Sequence, residues 1–393
     1  MNNRLRTSIL GIDFENPFLL SSAPPTAFVE SIDKAFEMGW GGAVLKTITP
    51  DDMELHEASP RYAVLKDKKR IIGFQNIELL SHQTVQYWCD GIKYLKQKYP
   101  TKVIIANIMA PVNKTTWQTL VKTLDNTPID AFELGLSFPH GILEKGAPLA
   151  VSTDADTSAQ ITTWVKEITQ KPVFVKLSPN VTDIAAIACA VEEAGADGLS
   201  AIDTVAGFMG IDLNTLRPLL DVHGKTAFGG CSGAMIRPIG LRCVAQMRLA
   251  SKLPILGQGG ISSWEDAVQY IAAGSDAVQI CTEVMLNGYK IIDPMLKGLT
   301  NYLKVKGFAD INVLKNKAAE LIISHEALQK SPLAYPKINH KKCGRCGKCV
   351  TVCRESKHQA LQLSDGYIVV DKTRCVGCGL CHYVCPAGAI SNK

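Results

Sequence analysis

Eight of the thirteen cysteines in this 393-residue chain fall near its C-terminus, in two copies of one pattern. The first copy is Cys343-Gly-Arg-Cys346-Gly-Lys-Cys349-Val-Thr-Val-Cys353, and the second is Cys375-Val-Gly-Cys378-Gly-Leu-Cys381-His-Tyr-Val-Cys385-Pro386. A C-x-x-C-x-x-C run wraps a tight loop around one 4Fe–4S cubane and leaves one iron for a distant thiolate. In a two-cluster run of this kind the fourth cysteine of each copy crosses to the other cluster. One cluster is therefore expected on Cys343, Cys346, Cys349 and Cys385, and the other on Cys353, Cys375, Cys378 and Cys381. A pair of structural zinc sites is the alternative, since C-x-x-C pairs also bind zinc. A zinc site ordinarily stops at four ligands without a third C-x-x-C step, so ligand arithmetic favours iron.

The remaining cysteines, Cys89, Cys189, Cys231, Cys243 and Cys281, are scattered. Cluster ligands must be thiolates, so a reducing cytoplasm is expected. The N-terminus lacks the apolar stretch of a signal peptide, and no apolar run reaches the length of a membrane span. The length suggests one large and one small domain: 1–290, a helical linker over 291–340, and a cluster domain over 341–393. The overall charge of +5 is uneven. Between Lys341 and Lys393 stand nine basic and three acidic residues, which leaves the first 340 residues near −1. No aromatic interleaving or RNA motif accompanies these cations, so a nucleic-acid partner is not expected. They suit an acidic electron-donating protein, or simply offset the charge of the clusters.

Up to residue 290, short β-rich apolar runs alternate with helical patterns. Strands are expected at 17–22, 42–47, 103–108, 131–136, 173–177, 198–202, 254–257 and 277–281. Helices are expected at 32–37, 83–98, 117–124, 158–168, 184–194, 239–251 and 264–272. Eight βα units in this length imply a TIM (βα)8 barrel. An open doubly wound sheet is disfavoured because no G-x-G-x-x-G follows the first strand. The glycine-rich signal instead follows strand seven, at Gln258-Gly259-Gly260, where barrels hold a cofactor phosphate. Lys46-Thr47 ends strand two, Lys176 lies in strand five and Asp203-Thr204 follow strand six. Two lysines at strand ends suit a flavin, whose reduced ring carries negative charge.

These motifs, with Asn16-Pro-Phe, Asn76-Ile-Glu-Leu, Lys176-Leu-Ser-Pro-Asn-Val-Thr-Asp, Gly229-Gly-Cys-Ser-Gly233 and Ile236-Arg-Pro-Ile-Gly-Leu-Arg242, resemble the flavin half of dihydropyrimidine dehydrogenases. More distantly they resemble class 1 dihydroorotate dehydrogenases. The C-terminal part resembles a bacterial two-cluster ferredoxin. The resemblance implies FMN held by Ser22, Lys46, Thr47, Lys176, Gly233, Gln258, Gly259, Gly260, Cys281 and Thr282. It implies a substrate facing Asn76, Gly135, Ser137, Phe138, Asp203 and Thr204, and a separate subunit that carries FAD and receives NAD(P)H. A hetero-oligomer, or a homodimer of heterodimers, is the matching assembly.

The chain departs from the family pattern at three substrate positions. Relatives carry Asn-x-Ser-Cys-Pro after strand four, and this chain has Gly135-Leu-Ser137-Phe138-Pro139-His140. Phe138 cannot transfer the proton that the family cysteine transfers. A second family asparagine, after strand six, is Asp203 here. Asparagine both donates and accepts, whereas an ionised aspartate only accepts, so the expected substrate differs from uracil. His140 and Asp203 are the candidate proton donors. The expected function is reduction or formation of an activated C=C or C=N bond in a small cyclic amide-like substrate. The alternative is an electron-transfer subunit that keeps FMN and passes electrons to a protein.

Overall fold

The computed structural model describes residues 3–55, 57–136, 151–328 and 332–392. Two units emerge, Met1–Ile322 and Ile323–Lys393. In the first, eight parallel strands close into a barrel: Phe18–Leu20, Gly42–Val44, Val103–Ile108, Ala131–Gly135, Val173–Leu177, Gly198–Ala201, Ile255–Gln258 and Ala277–Ile280. Each pairs with its sequence neighbours, and closure comes from Ile280 against Leu20. All eight expected strands are present.

The strands read as continuous apolar runs because both of their faces are buried. Residues of one parity, such as Leu20, Ile104, Leu134 and Val175, pack outward against the helices. Those of the other parity, Leu19, Val44, Ile105, Ala131, Phe174, Leu256 and Ala277, fill the lower barrel together with Ile9 and Phe14 of an N-terminal hairpin. Two residues further along each strand the inward series turns polar. Ser21, Lys46, Asn107, Glu133, Lys176, Ser200, Gln258 and Gln279 are all buried. The period-two pleat thus converts one step along the strands into a change from packed core to chemistry.

Side-chain caps start the helices between the strands: Thr84, Asn113, Asp154 and Ser263 each accept a backbone N–H three residues on. The segment expected to be a linker from residue 291 begins differently. Ile292–Lys306 is a barrel helix, burying Ile292, Met295, Leu299 and Leu303. Gly298 lets it approach Trp264, whose ring would lie 2.1 Å from any added Cβ. The boundary between units therefore falls at Ile322, not near 290. Leu299→Ala should cost the barrel about 2–5 kcal/mol in denaturant unfolding, against under about 0.5 kcal/mol for a typical surface position.

A second sheet, not anticipated from sequence, is antiparallel and runs in the order Tyr62–Asp67, Arg70–Asn76, Gly229–Ser232 and Val205–Gly207. It brings Tyr62, Asn76 and Thr204 to the barrel mouth. In the smaller unit, helices Lys348–Glu355 and Leu380–Tyr383 each follow a glycine with positive φ, Gly347 and Gly379. They pack with a hairpin of Leu361–Ser364 and Tyr367–Val370 around Cys349, Ile368, Cys381 and Ile390. Among the described residues no helix is long and apolar enough to cross a membrane.

Candidate functional site

One cavity at the C-terminal mouth of the barrel gathers every expected flavin and substrate residue that lies within the described residues. Ser22, Lys46, Thr47, Lys176, Gln258, Cys281 and Thr282 reach it from the strand ends, and Asn76, Gly135, Asp203 and Thr204 from the rim. Ser137, Phe138 and His140 lie outside the described residues.

The two lysines are buried and held differently. Lys46 Nζ stands 3.5 Å from Glu78 Oε1. Burial draws its ammonium below the ordinary lysine range, and Glu78 offsets only part of that. Lys176 Nζ stands 3.7 Å from Asp203 Oδ1. Burial is again the largest influence, but Asp203, Glu133 and Cys281 together outweigh it and hold the ammonium above its usual value. Glu78 also accepts the Tyr62 hydroxyl at 3.1 Å and pairs with Arg61 Nε at 3.4 Å. It is a hub that sequence reading missed, although it stands two residues beyond Asn76.

Asn76 uses its amide locally, donating to the Gly230 carbonyl at 3.0 Å and accepting from the Glu78 N–H at 3.2 Å. Those bonds anchor the rim sheet to the loop that carries Glu78. Asn180, in the Lys-Leu-Ser-Pro-Asn run, ties the strand-six loop by donating to the Thr204 carbonyl and accepting from Ala206 N–H. Gly135 leaves room that a neighbour uses: a Cβ there would lie 3.0 Å from Asn107 Oδ1.

Glycines 233, 259 and 260 all have positive φ. A Cβ on Gly260 would meet the Gly233 carbonyl at 2.7 Å and Arg237 N at 2.8 Å. The Gly233 and Gly259-Gly260 turns thus meet at the start of helix Arg237–Ala250, which is the backbone arrangement that binds phosphate. Three buried polar atoms of cavity-lining residues have no partner: Asn107 Oδ1, Gln258 Nε2 and Gln279 Oε1.

Burial pushes the Cys281 thiol up to about 11, against the pull of Lys46 and Lys176. A raised thiol pKa means that the folded state holds its proton more tightly than the unfolded state. This contribution to stability is complete below about pH 9 and is lost as pH rises through 11. In flavin-free protein, Cys281→Ser should therefore lessen the loss of urea resistance between pH 9 and 11.

In the smaller unit Cys353, Cys375, Cys378 and Cys381 line a single cavity, with Pro336, Ser356 and His358. Cys349 lies within electrostatic reach of Cys343 and Cys385. The fourth cysteine of each copy is matched in its surroundings: Cys353 Sγ accepts the N–H of Ala360 and Cys385 Sγ that of Ala389, both at 3.3 Å. Among the described residues no group of three or more His, Cys, Asp or Glu side chains closes on a single metal ion.

Two family models match the chain, dihydroorotate dehydrogenase over residues 4–303 and a 4Fe-4S dicluster domain over residues 336–391. The NAD-dependent dihydropyrimidine dehydrogenase subunit PreA of Escherichia coli is 35% identical, over 98% of this chain and 94% of its own. The chloroplastic dihydropyrimidine dehydrogenase (NADP(+)) of Arabidopsis thaliana is 33% identical over 83% of this chain and 79% of that one. The catalytic subunit of dihydroorotate dehydrogenase B (NAD(+)) from Pyrococcus abyssi is 33% identical over 78% of this chain and 96% of its own.

These matches imply FMN in the barrel and 4Fe–4S clusters in the smaller unit. The cavity suits a flavin, with its open glycine cradle, two buried cations and three unpartnered polar atoms. A polar cavity at the strand ends, two buried lysines in it and a 4Fe-4S dicluster domain on the same chain all agree with the sequence match: this chain belongs to the dihydroorotate dehydrogenase family, oxidoreductases acting on CH–CH bonds.

Proposed function

We propose that the chain is the FMN- and iron–sulfur-bearing catalytic subunit of a dihydropyrimidine dehydrogenase-type enzyme. It acts on an activated C=C or C=N bond of a small cyclic amide-like substrate and exchanges electrons with NAD(P)H through an FAD-bearing partner subunit. The observation that carries this reading is the convergence of Lys46, Lys176, Asn76, Asp203 and Thr204 on one cavity with the glycine cradle.

Bound there, FMN supplies hydride transfer to or from a substrate carbon. Gly233, Gly259 and Gly260 offer backbone N–H groups to its phosphate, and Ser22, Thr47, Gln258 and Thr282 offer polar side chains. Lys46 and Lys176 would supply positive charge to the ring, and Cys281, within electrostatic reach of both, is a neutral thiol. Asp203, as an acceptor, selects a substrate edge that carries N–H groups or positive charge, and Thr204 and Asn76 frame that edge. The proton for the substrate carbon comes from His140 or Asp203, in place of the family cysteine.

Cys343, Cys346, Cys349 and Cys385 hold one 4Fe–4S cluster, and Cys353, Cys375, Cys378 and Cys381 the other. The basic segment from Lys341 onward docks the partner, in a hetero-oligomer or a homodimer of heterodimers. Thirteen unbridged cysteines fit a cytoplasmic setting.

Reconstitution with an FAD-bearing subunit, followed by anaerobic NAD(P)H-driven turnover of pyrimidines, hydantoins and related unsaturated cyclic amides, tests the proposal. Turnover of at least one such compound is expected, with uracil a poor substrate. Phe138→Cys with Gly135→Asn and Asp203→Asn should raise uracil reduction, provided Asn107 gives way to the side chain at position 135. No turnover of any unsaturated cyclic amide, with electrons passing only to protein acceptors, would favour the electron-transfer reading.

A further inference from the structure

Three donors converge on a carboxylate that does not reach the cavity. Glu133, fully buried on the fourth barrel strand, accepts on Oε1 from the Asn107 amide at 2.6 Å. On Oε2 it accepts from the Ser200 hydroxyl at 2.6 Å and the Gln279 amide at 2.8 Å. Asn107 and Gln279 line the cavity, and Glu133 does not.

A carboxylate can only accept. Neither amide can turn over without setting oxygen against oxygen, so both keep their NH2 groups on Glu133. The oxygens thereby left over, Asn107 Oδ1 and Gln279 Oε1, are buried and unpartnered. Leaving a buried acceptor unpaired costs about 1–3 kcal/mol, a cost that a bound molecule with N–H groups removes. The same carboxylate acts on Lys176: with Asp203 it sustains that ammonium against burial.

We propose that Glu133 is a positioning residue for the flavin, which turns the Asn107 and Gln279 oxygens toward the site as acceptors and sets a fixed negative charge in its wall. The proposal rests on the reading of the cavity as an FMN site. Reduction adds negative charge to the flavin, so a fixed anion nearby opposes it. Glu133 thus keeps the FMN potential low, while the oriented oxygens strengthen FMN binding.

The test compares full-length protein with its Glu133→Gln variant, nearly identical in shape. The new side chain removes the charge, and its own N–H forces one of the two amides to turn. FMN affinity, measured by fluorescence titration of flavin-stripped protein, is expected to fall at least tenfold. The two-electron FMN potential is expected to rise by at least the equivalent of tenfold in the redox equilibrium, about 30 mV. Glu133→Gln combined with Gln279→Glu restores a carboxylate and should bring the potential back toward wild type.

A variant that binds FMN with wild-type affinity and potential, whatever its melting temperature, overturns the proposal. Should Glu133→Gln fail to fold, Gln279→Met removes one oriented oxygen and keeps the charge. Unchanged FMN affinity in that variant also overturns the proposal. Wild-type protein that takes up no FMN overturns the flavin reading itself, and this proposal with it.

Discussion

Lys176→Met is expected to destabilise the barrel unit by about 3–5 kcal/mol and to leave the purified protein without FMN. The cause is the charge left behind. Lys176 is buried between Asp203, whose Oδ1 is 3.7 Å from its ammonium, and the wholly buried Glu133. Removing one partner of a buried ion pair strands the other in low dielectric, which costs more than the pair was worth. The wholly buried Glu133 loses its nearby cation and the partly exposed Asp203 its ion-pair partner, and the cation that favours reduced flavin disappears with the same change. Asp203→Asn in the Lys176→Met background should recover part of the lost stability, because the two positions share one interaction. Urea unfolding of the two single variants and the double variant measures that coupling. If the losses simply add, the ion pair does not organise the site.

The second large effect concerns the clusters. Cys385→Ser is expected to remove one cluster, lowering iron from about eight to about four per chain. NAD(P)H-driven flavin reduction should be lost, while photochemical reduction of the flavin survives. Pairwise variants test whether the fourth cysteines cross. With Cys353 on the same cavity as Cys375, Cys378 and Cys381, and Cys385 near Cys349, Cys349→Ser with Cys385→Ser should lose no more iron than either change alone. Cys381→Ser with Cys385→Ser should lose all of it. The reverse pattern would assign each fourth cysteine to its own copy.

The barrel was legible because its strands are short, apolar and separated by amphipathic helices, so that each strand ends where a polar residue begins. Lys46 and Lys176 could be read as site residues because lysine at the end of a buried run has no structural need to be there. Asn107, Glu133 and Gln279 carry the same signal in weaker form. They occupy the inward parity, two positions beyond Ile105, Ala131 and Ala277, yet a single polar residue inside an apolar run does not say which way it points. The mouth sheet was not legible, because Arg70–Asn76 pairs with Gly229–Ser232, about 150 residues away. Its strands pack at the rim, where the alternation is diluted by exposed charges such as Lys66 and Asp67. Helix Ile292–Lys306 is hard to tell from a linker by sequence, because it follows the eighth strand and has no further barrel strand after it. Its own stripe of Ile292, Met295, Leu299 and Leu303 has the spacing of a buried face.

The most direct test of the central claim, that electrons arriving through the clusters leave through a small molecule in the barrel, is flavin reoxidation. Protein photoreduced under anaerobic conditions is mixed with unsaturated cyclic amides, and flavin absorbance is followed. Return of the oxidised flavin spectrum with one of these compounds, and its loss in Asp203→Ala, is the expected result. A flavin that stays reduced with every such compound, yet reoxidises at once with a protein acceptor, would contradict it.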